Sequence, residues 1–152
     1  MSSQYTFIGE YNFVVDSKNR VNIPSPFRQQ LKKSDKNTFV LTRGIDSCIW
    51  IYPITEWKKI QNELQQLSSL SKTNRIFLRN HLRHANILKF DKQGRFVLPQ
   101  SLIDYASIKK DITIIGVLNK IEVWNSTLLQ KIDKTEKVDD QSYDQLSERV
   151  NI

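Results

Sequence analysis

Asp16 and Arg20 stand four residues apart around Ser17-Lys18-Asn19, and Asp91 and Arg95 repeat the spacing around Lys92-Gln93-Gly94. An arginine offers five N–H donors in a planar fork and keeps its charge, so one presented at a turn can grip guanine or phosphate. A carboxylate beside it would repel phosphate if it faced DNA directly. Its sensible work is to hold the guanidinium and the turn amides in place. Lys18 and Lys92 can add phosphate contacts. For a single such turn, an ordinary surface ion pair worth about 0–1 kcal/mol is the better explanation. Two turns with the same flanks move the balance towards function.

The flanks are what must position these groups. Phe13-Val14-Val15 and Val21-Asn22-Ile23-Pro24 bracket the first turn, and Ile87-Leu88-Lys89-Phe90 and Phe96-Val97-Leu98-Pro99 bracket the second. Polar residues between short apolar runs predict a hairpin, its second strand returning beside the first. The residue before each arginine is Asn19 or Gly94, the two types that most readily take positive φ. At an offset of 75, Phe13 meets Leu88, Val15 meets Phe90, Val21 meets Phe96, Ile23 meets Leu98 and Phe27 meets Leu102. Beyond a short helix the offset becomes 72, setting Gly44 on Gly116, Ile49 on Ile121 and Tyr52 on Trp124. The shared order of strand, turn, strand, proline, helix and hairpin indicates an internal duplication.

This periodicity predicts a lead-in over 1–10 that gives Phe7 and Ile8 to the core, a strand over 11–15, a helix over 26–31 and a polar loop over 32–37. Strands at 38–43 and 48–52 form a hairpin. A helix over 53–67 places Ile54, Trp57, Ile60, Leu64 and Leu67 on one side, and a second over 73–84 offers Ile76, Phe77, Leu78 and Leu82. Ser126 caps a helix over 127–135, and an acidic segment leads to a last turn through Leu146 and Val150. The organisation read from this is one domain over 1–152: a first repeat (11–52), linker helices (53–84), a second repeat (85–124) and an acidic helical tail (125–152).

Charge is unevenly spread. The 152 residues carry +7, but the first 124 hold 19 basic and 10 acidic side chains, and the remainder holds four and six. A basic body with an acidic tail points to a polyanion, most simply nucleic acid, although ordinary solubility charge fits the composition as well. No run approaches 18 apolar residues, so no membrane-spanning helix is expected. Met1-Ser2-Ser3-Gln4 does not open a signal peptide, which makes the cytoplasm the expected compartment. The single cysteine, Cys48, reads as a small core hydrophobe.

Catalysis finds no support: there is no Gly-rich phosphate loop and no Ser-His-Asp grouping. Asp16 and Asp91, each beside an arginine, stay ionised and make poor general acids. His81 and His84 lie three apart with no adjacent Cys or carboxylate, so no metal or other cofactor is expected. Lys72, Arg75, Arg79 and Arg83 form a basic helical stripe that suits a solvated face, a subunit interface or direct DNA contact.

The duplicated Asp-x-x-x-Arg turn, the intervening helical pair, the closing hairpin ending at Trp124 and the tail Leu146-Ser147-Glu148-Arg149 together resemble the MraZ family over nearly the whole chain. The resemblance implies an α+β fold: an AbrB-like swapped-hairpin β-barrel formed by the two repeats, with intervening and C-terminal helices. It implies a ring-like homo-oligomer and a nucleoid-associated transcriptional regulator. Such regulators bind repeated promoter boxes on double-stranded DNA upstream of the division and cell-wall gene cluster. Carried onto this chain, the DNA-facing residues are Asp16, Arg20, Asp91 and Arg95, with Asn19 departing from the more usual glycine. A protein-interaction or antitoxin-like module on the same barrel is the alternative. An RNA binder would need exposed stacking aromatics, whereas most aromatics here fall at core-like positions.

Overall fold

The computed structural model describes residues 4–152, so the expectation resting on Met1, Ser2 and Ser3 lies outside the described residues. In chain order the elements are β1 (Phe7–Val14), β2 (Arg20–Asn22), α1 (Ser25–Arg28), a 3-10 turn (Lys33–Asp35), β3 (Thr38–Arg43) and β4 (Ile49–Pro53). Then come α2 (Ile54–Leu64), α3 (Lys72–Leu82), β5 (Asn86–Lys89), β6 (Arg95–Val97), α4 (Gln100–Tyr105), β7 (Asp111–Leu118) and β8 (Lys120–Asn125). The chain closes with α5 (Ser126–Thr135) and α6 (Asp140–Val150). The fold is mixed α+β with antiparallel pairing throughout.

Each polar turn reverses the chain as predicted, but the returning strand does not pair with the one that precedes it. β1 pairs with β7 and β5 with β3, each joining one repeat to the other. β2 pairs with β6 in a separate two-stranded ribbon, Val21 opposite Phe96. The six-stranded sheet runs β1-β7-β8-β4-β3-β5. The reason lies in the duplication. Both repeats present the same apolar pattern, so a local signal fixes the reversal without choosing between a strand's own neighbour and its counterpart in the other repeat.

The pairing also corrects the alignment of the repeats. Phe13 opposes Ile112 in one seam and Leu88 opposes Phe39 in the other, so Ile112 matches Phe39 at an offset of 73. An offset of 72 returns only on the following strands, where Trp50 and Glu122 face each other as equivalents. Gly116 is therefore not the counterpart of Gly44.

Alternation sorts the sheet's two faces. Phe39 and Leu41 on β3, Ile49 and Ile51 on β4, and Ile112 and Ile114 on β7 are fully buried in one core with Phe27, Leu102 and the inner face of the ribbon. Val40 and Tyr52 pack on the opposite face with Trp57 of α2. The lead-in is more ordered than predicted: Tyr5 and Phe7 are buried, while Ile8 is exposed. In contrast, α3 buries no residue, and its Ile76, Phe77 and Leu82 remain open to solvent. The cap of α5 is Asn125 rather than Ser126, its Oδ1 accepting from the Thr127 and Leu128 amides.

The predicted loop at 32–37 hides a buried carboxylate. Asp35 is inaccessible to solvent and accepts from the Tyr5 hydroxyl, the Lys32 amide (3.0 Å), and the Thr55 amide (3.1 Å) and hydroxyl (2.6 Å). It thereby ties the chain's start to the first turn of α2. Burial pushes its pKa up, but the donors from Thr55, Tyr5 and Lys32 outweigh burial and hold it below the usual aspartate range. A depressed folded pKa stabilises the native state above the ordinary aspartate value of about 3.9, and that share is lost as pH falls through the lower folded value. Asp35→Ala should cost about 3 kcal/mol at neutral pH in urea denaturation, and Asp35→Asn should show a shallower acid loss than the parent.

Candidate nucleic-acid interface

The two Asp-Arg turns have the same construction. In the first, Asp16 Oδ1 accepts from the Lys18 and Arg20 amides, both at 2.9 Å, and Oδ2 accepts from Arg20 Nε at 2.6 Å. In the second, Asp91 Oδ1 accepts from the Gln93 amide (2.8 Å) and Arg95 amide (3.0 Å), and Oδ2 from Arg95 Nε at 3.1 Å. The Arg20 amide, then its guanidinium and the Lys18 amide, hold the Asp16 carboxyl below its usual range. Asp91 is held down by the Arg95 amide, the Gln93 amide and the Arg95 guanidinium. Asn19 and Gly94 both take positive φ, 58° and 77°.

Each arginine spends only Nε on its aspartate. Among the described residues, no acceptor engages the terminal amino groups of Arg20 or Arg95, so both forks keep donors for an external partner. Lys18 and Lys92 are both exposed but occupy different steps of their turns, Lys18 matching Gln93.

The turns are fastened to each other. The Leu98 amide donates to the Asn19 carbonyl at 2.8 Å, and the Ile23 amide to the Gly94 carbonyl at 2.9 Å. These bonds extend the β2–β6 ladder, in which Arg20 opposes Val97 and Asn22 opposes Arg95. Val21, Ile23, Phe96 and Leu98 are buried beneath it. Period-2 alternation then puts Arg20, Asn22, Arg95 and Val97 together on the outer face.

Two comparisons bear on what this arrangement is. A protein-family model described as "MraZ protein, putative antitoxin-like" matches the chain twice, over residues 6–80 and 81–150. The chain belongs to the MraZ family. The transcriptional regulator MraZ of Clostridium tetani is 44% identical over 147 residues, covering 95% of this chain and 96% of that protein. The transcriptional regulator MraZ of Clostridium acetobutylicum is 46% identical over 119 residues, 78% and 81% of the two chains. That of Pediococcus pentosaceus is 40% identical over 145 residues, 95% and 96%.

Within this MraZ-family chain, the sequence-derived residues fall in two places. Asp16, Lys18, Asn19, Arg20, Asp91, Lys92, Gly94 and Arg95 lie on the paired turns. Lys72, Arg75, Arg79 and Arg83 lie on or just after α3, where Arg75 Nη1 is occupied by the Ser69 and Leu70 carbonyls. Sequence reasoning missed four further cations, and Asn22 and Val97 on the ribbon's outer face. Lys109 and Lys110 border a depression beside Asp16 and Asn19. Arg28 leans over the second turn, donating through Nε to the Ile23 carbonyl at 3.1 Å. Lys36 is the repeat counterpart of Lys109. The Lys109-Lys110 doublet was visible in the sequence, but nothing local tied it to a turn almost a hundred residues earlier.

Other polar clusters read as packing. His81 stacks on Trp50 at 6.0 Å and meets Phe77 edge-on at 4.5 Å, and burial there draws its pKa down. Among the described residues, no three His, Cys, Asp or Glu side chains gather as metal ligands would. Cys48 is fully buried beside Glu122, and burial pushes its thiol pKa up. No helix of the described residues is long and apolar enough to cross a membrane.

The two positive-φ positions differ in their surroundings. A Cβ added at Gly94 would stand 2.5 Å from Arg28 Nε, whereas the place equivalent to Arg28 in the second repeat is held by Ile103, which borders the first turn. Asn19→Gly should leave thermal stability nearly unchanged. Gly94→Ala should cost about 1–3 kcal/mol from backbone strain, with added crowding. In a double-mutant cycle, Arg28→Ala should recover the crowding share alone.

Proposed function

We propose that this protein is a transcriptional regulator that binds double-stranded DNA through the β2–β6 ribbon and its two turns. The observation that carries this reading is the pair of Asp-braced arginines with free terminal donors, locked in one frame by the Asn19–Leu98 and Gly94–Ile23 bonds. Diagonal neighbours on an antiparallel ribbon lie roughly 7–8 Å apart, so Arg20 and Arg95 start from positions about two base-pair steps apart. A two-stranded ribbon fits the major groove, where an arginine fork can engage guanine O6 and N7. Lys18, Lys92, Lys109, Lys110 and Arg28 supply charge around the two turns.

On this reading, 11–52 and 85–124 form the halves of an AbrB-like swapped-hairpin barrel within a single domain. Residues 53–84 join them, and 125–152 form an appended tail. The partner sites are repeated promoter boxes upstream of the division and cell-wall gene cluster, engaged in the cytoplasm at the nucleoid. A homo-oligomer, ring-like in the family, suits the exposed Ile76, Phe77 and Leu82 of α3 and an α6 that buries no residue. Several subunits on repeated boxes gain affinity through effective concentration. The basic stripe flanks the exposed α3 face and belongs with this assembly surface.

Arg20→Ala and Arg95→Ala should each weaken binding to the upstream promoter DNA by roughly 5- to 150-fold in gel-shift titration, as expected for about 1–3 kcal/mol per arginine fork. Binding should fall steeply with added salt, and each variant should lower that slope if its arginine also neutralises phosphate. Parent-like affinity in both variants overturns the proposal. A protein partner retained at high salt without any DNA shift supports the antitoxin-like alternative instead.

A further inference from the structure

The ribbon's outer face carries two side chains that the arginine reading leaves unused. Asn22 and Val97 occupy equivalent places in the two repeats, at the offset of 75 that relates Arg20 to Arg95. Each sits across the ladder from the other repeat's arginine. Both are exposed, Val97 at 55%. An exposed valine is by itself ordinary, and a β-branched residue suits any strand. This one, however, shares a solvent-facing surface with two arginines and an amide. The Asn22 amide is only loosely tethered, its Nδ2 standing 3.4 Å from the Gln93 carbonyl. Its Oδ1 accepts no hydrogen bond among the described residues.

We propose that Asn22 and Val97 are specificity-determining residues that read two different bases between the arginine contacts, Asn22 an adenine edge and Val97 a thymine methyl. This rests on the DNA-binding reading above. The chemistry differs at the two places: an amide can donate to and accept from adenine N6 and N7, whereas an isopropyl group can only pack on the thymine C5-methyl. A nearly two-fold protein surface thus meets DNA with one polar and one apolar reader. The bound box is not a palindrome, and each subunit has a defined direction on it.

The test is selection from a randomised duplex library by the full-length parent, Asn22→Val, Val97→Asn and Val97→Thr, with thermal melting as a fold check. The parent should select a non-palindromic motif with separate adenine-dependent and thymine-dependent positions. Asn22→Val should lose roughly tenfold preference at the first position alone, and Val97→Asn at the second alone. Val97→Thr keeps a methyl and should keep the thymine preference. Unchanged motifs in Asn22→Val and Val97→Asn overturn the inference while leaving DNA binding standing. A parent that selects no motif removes both.

Discussion

The arrangement depends on a ladder of a few residues a side. Asn19 to Ile23 runs against Gly94 to Leu98, with Val21 and Phe96 at its centre. Its inner face is part of the main core, and its ends are the two positive-φ residues that bend the turns. Core packing and the placement of the arginines are therefore one constraint. Moving either turn would break a cross-repeat hydrogen bond and lift a buried side chain. The aspartates finish this work locally by collecting two amides and a guanidinium each, which fixes the direction of each arginine side chain.

The sequence carried much of this in plain view. The spacing of Asp and Arg, the Asn or Gly before each arginine and the buried alternation of Val21, Ile23, Phe96 and Leu98 could all be read without coordinates. The partner of each strand could not. Duplicated apolar patterns make within-repeat and between-repeat pairing locally indistinguishable, and only the global closure of the core decides. Asp35 was hidden for a different reason. A carboxylate in a run of lysines looks solvated, and its donors Tyr5 and Thr55 lie 30 and 20 residues away. Arg28 was hidden likewise, because its contact with the second turn crosses from one repeat to the other.

The linker helices show where periodicity misleads. α2 buries Trp57 on the sheet as its pattern suggests, yet α3, with a comparable apolar stripe, buries nothing. Amphipathic spacing states that a face can be covered. It does not state by what, and the single chain leaves that face and α6 uncovered together.

The pairing of Trp50 with Glu122 has a consequence for how the duplication is maintained. Equivalent positions meet here, and Trp50 Nε1 donates to Glu122 Oε2 at 3.0 Å, while Trp124 Nε1 donates to Oε1 at 3.1 Å. Two first halves brought together would set indole against indole with no acceptor between them, and two second halves would set carboxylate against carboxylate. The seam thus matches the unlike half better than the like one. Here the two halves complement each other through an indole donor on one and a carboxylate acceptor on the other.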